Sequence, residues 1–410
     1  MKIIDQYKGL RKEIYVLFVC KLIDNAGSMI GPMFTLILSI KMGMNAKDIA
    51  LFLSIFTILS MPVQLIGGKL GDRLNKKIVI NICDILTSLI YIVCGVVGLN
   101  KVTLFFYMTG SLIQNVEGPI YDSLIADFTT SSDREKAYSL DYVGLNLGLA
   151  LSPTIGGLLL ENHLSLMFII SGVCELLSVI VFNIYIKQTY AIKDESNIYE
   201  ATKETGNILD IFKENKILIY VLFIFSLGCF VYNMYNYLMP LTLSYIHGDL
   251  GSVYYGTISS TNCIVVFTCT MAVTNLLAKL TSINKMMLAQ GLQLLGYAIF
   301  YFFIFKEFMY YPAIIIFTLG EITNTIATTP FLTRRIPLNY RSRVLSLFSV
   351  IEMIFGCLGE LLVGIIYDNY GYSQSWIFTM LIMILTILLF QSIKKLDKKS
   401  YPELYKNNIA

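Results

Sequence analysis

Apolar stretches of roughly 20 residues, long enough to carry an α-helix across a hydrocarbon layer about 30 Å thick, recur along this chain. They fall at approximately 14–40, 48–68, 78–99, 102–127, 138–160, 164–187, 216–246, 253–278, 285–305, 310–332, 344–367 and 374–393. A chain committed to a bilayer must satisfy its backbone amides internally, which leaves helices or a closed barrel. Barrel strands read as alternating segments of about ten residues, and these runs are too long and too continuously apolar for that. Of the 410 residues 56% are hydrophobic and only 14% charged, against roughly 25% charged in soluble domains. The expectation is an all-α, multi-pass membrane protein with twelve transmembrane helices.

The first apolar run follows the charged start "MKIIDQYKGLRKE" and continues for a full span, so it is read as a retained helix rather than a cleaved signal. All eight cysteines fall inside expected helices, where a small apolar thiol needs no partner; no disulfide and no metal site is expected. Orientation follows from the reluctance of Lys and Arg to cross the membrane. With both termini in the cytoplasm, 26 of the 31 Lys and Arg lie in cytoplasmic segments; the outer loops keep Lys41, Lys47, Lys101 and Lys306, and Lys21 lies within the first helix. His163 and His247 then lie in short outer loops and read as solvated turn residues.

The chain also repeats itself. A shift of 207 positions lays "REKAYSL" (134–140) on "RSRVLSL" (341–347) and "GLLLENH" (157–163) on "GIIYDNY" (364–370). The longest polar stretch, 188–215, separates the copies, and Ile208, Leu209, Ile211 and Phe212 could give its last part an interfacial face. The expected organisation is a six-helix bundle over 1–187, a cytoplasmic linker over 188–215 and a second bundle with a cytoplasmic tail over 216–410. Parallel-repeat secondary transporters are built this way.

Between the second and third runs stands "GGKLGDRLNKK", residues 67–77. It resembles the loop signature of the major facilitator superfamily, roughly G-x-L-[AG]-D-R-x-G-R-[KR], with Asn75 in place of the second glycine and Lys76 in place of arginine. Positive-inside anchoring alone would not require Asp72 or the flanking glycines. The fifth run, "DYVGLNLGLALSPTIGGLLL", carries Gly144, Gly148, Ser152 and Gly156 at every fourth position, a spacing that lets two helix backbones approach closely. Counted from Ser139 through Gly148, Ser152, Pro153, Gly156 and Gly157, it resembles the antiporter signature G-x8-G-x3-G-P-x2-G-G of the drug:proton antiporters. So does the frame Asp127-x13-Asp141, with Arg134 and Lys136 between them. The fourth run departs from that branch, because "VTLFFYMTGSLIQNVEGP" lacks the usual arginine.

This resemblance implies a conformational switch on the cytoplasmic side. Asp72 would dock on the start of the eleventh helix, after "RRIPLNYRSR", Gly68 and Gly71 would permit the approach, and Arg73 would pair with Asp127. It also implies that helices 1, 4, 7 and 10 surround a central cavity. Charges inside a membrane are expensive and mark function; here Asp24, Asp84, Glu117, Asp122, Glu175, Glu321, Glu352 and Glu360 face Lys21 alone. Asp24, Glu117 and Glu321 are the first choices for substrate and proton coupling, with Asp122 and Glu175 next. "FVYNMYNYLMP" adds Tyr232, Asn233, Tyr235 and Asn236, aromatic and polar groups suited to an amphipathic cation.

The function expected is a proton-coupled antiporter, monomeric, exporting amphipathic, cationic small molecules, with the proton as coupling ion and no other cofactor. Two alternatives stay open: a proton-coupled transporter of a lipid, peptide or nutrient, and a non-transporting membrane receptor or scaffold. No G-x-x-x-x-G-K-[ST] loop and no hydrolytic constellation occurs, so neither enzymatic activity nor nucleic-acid binding is expected.

Overall fold

The computed structural model describes residues 7–129, 133–187, 216–333, 341–400 and 402; positions 65, 68, 69, 71–73, 119, 123, 126, 134, 135, 216–218, 271, 329, 330, 332, 333, 341–347, 349 and 400 are described in backbone only. The described residues are helical over every expected run. The helices are α1 (Lys12–Gly27, continued by Ile30–Leu36 and a π turn, Ile37–Lys41), α2 (Ala46–Arg73), α3 (Lys76–Val97), α4 (Lys101–Asp127), α5 (Arg134–Leu149 and Ser152–Leu160) and α6 (Leu164–Tyr185). They continue as α7 (Lys216–Asn233 and Leu238–His247), α8 (Leu250–Leu276), α9 (Ser282–Phe302), α10 (Tyr310–Thr333), α11 (Arg341–Tyr370) and α12 (Tyr372–Ser400). Eight segments are long and apolar enough, by length and composition, to cross a membrane. Large apolar side chains such as Ile58, Val96, Phe105, Leu158 and Leu276 face outward, as a lipid-solvated surface requires.

Among the described residues three helices are broken, and each break lies just before a proline. Proline lacks the amide donor and its ring collides with the carbonyl four residues earlier, so it is accepted in a first turn and resisted in an interior. Pro32 falls in the first turn after the Ser28–Met29 break of α1, and Pro153 in the first turn after the break of α5. In α7 the chain unwinds over 234–237, ahead of Pro240, where Met234, Tyr235 and Asn236 bond the carbonyls of Val231, Tyr232 and Asn233, three residues back. By contrast, Pro62 sits inside α2 without ending it.

Two compact units emerge: Met1–Gly43 with Ile55–Glu200 and His247–Ile264, and Met44–Ser54 with Ala201–Ile246 and Val265–Ala410. In the first, Leu17, Cys20, Ile80, Tyr121, Leu124 and Phe128 form one core. The small residues of α5 explain its packing. A Cβ at Gly148 would meet Leu22 O at 2.8 Å and Asn25 Cβ at 2.6 Å of α1, and one at Gly156 would meet Met33 Cγ at 3.1 Å. On its other face, Gly157 and Pro153 meet the backbone of Ser252 and Gly256 in α8, where Ser252 Oγ donates to Gly157 O at 2.9 Å and Thr154 Oγ1 to Ser260 Oγ at 2.7 Å.

In the second unit, Val221, Phe225, Met286, Phe331 and Phe390 form a core. Here the start of α2 is capped from α11: Ala46 N donates to Asp368 Oδ1 at 3.0 Å and Lys47 N to Asp368 Oδ2 at 2.8 Å, while Asp48 N donates to Asn45 Oδ1 at 2.8 Å. The first three amides of α2, which have no intrahelical acceptor, are thereby all satisfied. Asp368→Ala is expected to lower stability by about 1 kcal/mol, the usual cost of a lost cap. Denaturant unfolding in detergent against Asp368→Asn, which keeps one acceptor, measures it.

Candidate functional site

Polar chemistry is concentrated at two places, one in each unit. In the first unit, α1, α3, α4 and α6 bring Asp24, Asp84, Glu117 and Glu175 together. One carboxylate oxygen from each of Asp84, Glu117 and Glu175 lies within 4.8 Å of the other two. Gln114 Nε2 donates to Glu175 Oε1 at 3.2 Å. Ser178, one turn beyond Glu175 on α6, donates to Asp24 Oδ2 at 3.0 Å; Asp24 Oδ1 is sealed from solvent and has no hydrogen-bond partner. Lys21 lies one turn before Asp24, its ammonium 5.1 Å from the centre of the Tyr121 ring.

In the second unit a cavity of about 390 Å³ is lined by α7, α9, α10, α11 and α12. Tyr232 donates to Glu321 Oε1 at 3.0 Å, Glu352 enters from α11, and Gln290, Gln293, Asn324 and Thr328 supply amides and a hydroxyl. Gln290 is 3% exposed, yet its Oε1 lacks a partner, leaving an acceptor at the cavity wall. Behind Tyr232 the rings of Tyr232, Tyr235 and Tyr297 stack on Phe317 with centroids at 6.1, 5.6 and 4.8 Å, and Trp376 packs on Tyr297 while donating to Thr242 Oγ1 at 3.0 Å. The cavity is lined by the rings of Phe225, Tyr232 and Phe390, two carboxylates and a set of neutral amides and hydroxyls. That combination suits an organic cation with an apolar body.

The sequence-expected residues thus divide. Asp24 and Glu117 meet in the first unit; Glu321 and Tyr232 meet in the second, with Tyr235 buried behind them. Asn233 faces Gly356 of α11, Asn236 is exposed, and Asp122 is exposed on α4, its backbone oxygen accepting from the Tyr138 hydroxyl. Asp141 is partly buried, with Oδ1 unpartnered. Gly148, Pro153, Gly156 and Gly157 take the packing positions already described. The side chains of Asp72, Arg73 and Arg134 are not described, and Gly68 and Gly71 are described only as backbone of α2; the segment 334–340 ahead of α11 and the 208–212 stretch lie outside the described residues. Asp127 pairs with Lys76, Nζ to Oδ2 at 2.5 Å. The neighbouring Asn75, a departure from the signature, caps α3 by accepting from Lys77 N at 3.0 Å. Sequence reasoning ranked Glu117 above Asp84 and Glu175; only the helix packing shows that they form one cluster.

At the end of α5, just past the membrane-spanning segment, the Glu161 carboxyl hydrogen bonds to that of Asp249. Sharing a proton with a second acid raises the Glu161 pKa above the ordinary glutamate range. A raised acid pKa means the folded state holds that proton more tightly, so this contact favours folding below the ordinary value and is lost as pH rises through the raised one. Glu161→Gln keeps a donor toward Asp249 at all these pH values. The small fall in thermal midpoint expected for the wild-type protein between mildly acidic and neutral pH should therefore diminish in the variant.

Helices long and apolar enough to cross a membrane, with carboxylates among them, define an α-helical membrane protein. Comparison makes this specific. The sequence profile of the Major Facilitator Superfamily matches residues 17–360, and the chain belongs to that family. It is 27% identical over 173 residues to the quinolone resistance protein NorA of Staphylococcus aureus, a match covering 42% of this chain and 44% of NorA. It is 23% identical over 163 residues to the uncharacterized MFS-type transporter YdeE of Escherichia coli, covering 39% and 41%. The match thus spans less than half the length of these relatives. Among solved structures, a POT family transporter in complex with 5-aminolevulinic acid superposes with a TM-score of 0.78 at 11% identity, covering 94% of this chain and 96% of that one. The nucleoside transporter NupG gives 0.71 at 14%, covering 94% and 100%. At such identities the likeness is one of fold.

Proposed function

We propose that this chain is a proton-coupled antiporter that exports amphipathic, cationic small molecules by alternating access, with both termini in the cytoplasm. The observation that carries the reading is the cavity of the second unit, where Glu321, held by Tyr232, and Glu352 face an aromatic wall. A carboxylate in a low-dielectric cavity is stable when neutralised, either by a proton or by a bound cation. If both neutralise the same group they exclude one another, and that exclusion couples proton entry to cargo release. The partial likeness to a quinolone resistance protein supports an efflux direction, and the Lys and Arg distribution supports the orientation.

The test is reconstitution in liposomes with an imposed proton gradient, offering a lipophilic cation and a neutral drug of similar size. The reading expects gradient-driven movement of the cation and proton flux that rises when the cation is added. Cation movement independent of the proton gradient would replace antiport with another coupling. Absence of movement for both compounds, in protein that stays folded, would favour a different cargo or a non-transporting role.

A further inference from the structure

We infer that Glu360 is a proton relay, carrying protons between the outer end of α11 and Glu352 in the cavity of the second unit. This role rests on the export reading above, whose cavity chemistry makes no use of Glu360.

Glu352, Gly356, Glu360, Gly364 and Asp368 recur at every fourth position of α11, so they form one stripe about 24 Å long at 1.5 Å per residue. The apolar residues two positions before each of the first four, Val350, Ile354, Leu358 and Leu362, are exposed. Two residues turn a helix by about 200°, which puts the polar stripe on the opposite, inward face. Both of its glycines are buried, and each leaves room for a polar group of α7. A Cβ at Gly356 would collide with Asn233 Nδ2, and one at Gly364 would meet the Tyr237 hydroxyl at 2.5 Å. From the cavity outward the polar groups therefore run carboxylate, amide, carboxylate, hydroxyl, carboxylate.

Both ends of this line are connected. At the inner end Glu352 and Cys229 line the cavity, and Cys229 lies within electrostatic reach of both Glu352 and Glu360. At the outer end Tyr237 lies within reach of both Glu360 and Asp368, and Asp368 is exposed. The Tyr237 hydroxyl donates its own proton to the carbonyl of Ala46, so toward the stripe it can only accept, as a partner of a protonated carboxyl must. Glu360 stands about 12 Å along the axis from each neighbouring acid, a gap that side chains, the intervening amide and hydroxyl, and one or two waters can bridge. Besides Cys229 and Tyr237, α7 offers no carboxylate or base from 217 to 246, and α12, which also packs on α11, offers none from 372 to 393. Lys47 and Asp48 belong to the outer end, where Asp368 caps α2. With no base to fix it as an anion, Glu360 can take up a proton and give it up again.

A proton from the outer water neutralises Glu360. Its transfer to Glu352 leaves Glu360 an anion once more and makes Glu352 a neutral acid. The cavity thereby loses one negative charge, and with it the attraction that holds a cation.

The experiment compares wild type and Glu360→Gln, each purified as the full chain and reconstituted in liposomes, with radiolabelled ethidium as the probe cation. One assay follows efflux driven by an imposed proton gradient. The other follows exchange of ethidium for ethidium at equal pH on both sides, which requires the cavity and alternating access but no net proton movement. Glu360→Gln should slow driven efflux at least about tenfold while leaving exchange and equilibrium binding unchanged, because glutamine keeps the shape of the acid but cannot relay its proton. Glu360→Asp, which keeps a carboxyl on the stripe, should recover much of the driven rate. A merely structural role would slow both assays alike, and that result overturns the inference. So does driven efflux at the wild-type rate in Glu360→Gln. If that variant does not fold, Tyr237→Phe decides by the same split: slower driven efflux with intact exchange supports the relay, and an unchanged ratio of the two overturns it. Exchange without driven efflux in the wild-type protein would remove the export reading and the relay together, whereas equal coupling in wild type and Glu360→Gln would remove the relay alone.

Discussion

Glu321→Gln is expected to reduce proton-driven efflux of a cationic substrate by about 30-fold or more, the range in which removal of one charge from a buried, hydrogen-bonded pair falls. Glutamine preserves the shape of the side chain and can still hydrogen bond to the Tyr232 hydroxyl, so packing of α7 against α10 should survive. The charge is lost, and with it the competition between proton and cargo. Wild-type affinity for a cation should fall as pH drops and the carboxylate takes up its proton, while affinity for a neutral analogue stays level. In the variant both should be flat. Binding of one cationic and one neutral ligand across about pH 5 to 8 reads this directly. Tyr232→Phe gives the graded control: it removes one hydrogen bond to Glu321, worth about 1 kcal/mol, and should weaken the cation only several-fold. Retention of the full wild-type pH profile in Glu321→Gln would move the coupling to Glu352, the other carboxylate of this cavity.

The fold was legible in the sequence because lipid is an exacting solvent. Helix length, apolar continuity and the low number of charges each follow from the cost of an unsatisfied amide or an unpaired charge in hydrocarbon, and each can be counted along a line of text. Each of the three helix breaks precedes a proline, Pro32, Pro153 or Pro240, but Pro62 sits inside an unbroken helix, so the breaks were not legible from proline alone, and the unwinding of α7 over 234–237 places "NMYNY" at a break rather than on one helix face. The 207-residue shift aligned Glu161 with Asp368, and the structure gives these two acids related tasks at helix starts: Asp368 caps α2, while Glu161 meets Asp249 next to the start of α8. They differ because α8 is preceded by its own acid and α2 by Asn45.

What could not be read is partnership. The sequence offered eight acids within apolar helices and no means of pairing them, because a pairing depends on how helices distant in sequence rotate about their axes. Asp84 and Glu175 sit 91 residues apart and share a cluster with Glu117. Asp122, on the same helix as Glu117, turns to the surface. Periodicity places residues on a helix face, and only packing shows what that face meets. The cavity amide Gln290 was missed for the same reason: no pattern in "LAQGLQLLG" distinguishes it from a residue satisfied by its neighbours.

The same distinction governs the small-residue stripe of α5, where Gly157→Ala is expected to cost far more transport than Gly156→Ala. The two glycines are adjacent in sequence but face different helices. A Cβ at Gly157 would collide with the carbonyl of Ser252, and its counterpart at Gly256 with the carbonyl of Pro153. Both obstacles are backbone, so no rotamer change relieves them and the helices must separate. At Gly156 the nearest atoms are Met33 Cγ at 3.1 Å and the Met29 carbonyl oxygen at 3.2 Å, tight contacts but far short of the overlap at Gly157. Gly148, which faces the backbone of Leu22 and Ala26, should resemble Gly157. Gly157→Ala, Gly256→Ala and Gly148→Ala are therefore expected to lower transport at least about tenfold and to lower the thermal midpoint by several degrees, in line with overpacking costs of about 1–3 kcal/mol. Gly156→Ala should stay within about twofold of wild type, because contacts of 3.1–3.3 Å are relieved by far less movement than the much closer overlap with backbone at Gly157. Ser152→Gly should be tolerated too: Ser152 is fully buried with its hydroxyl unpartnered, so removing the hydroxyl relieves an unmet polar group. Transport in liposomes, normalised to folded protein by size-exclusion chromatography, ranks the five variants. If Gly157→Ala and Gly156→Ala lose activity equally, helix α5 acts through its general smoothness, and the close backbone contact with α8 carries no special role.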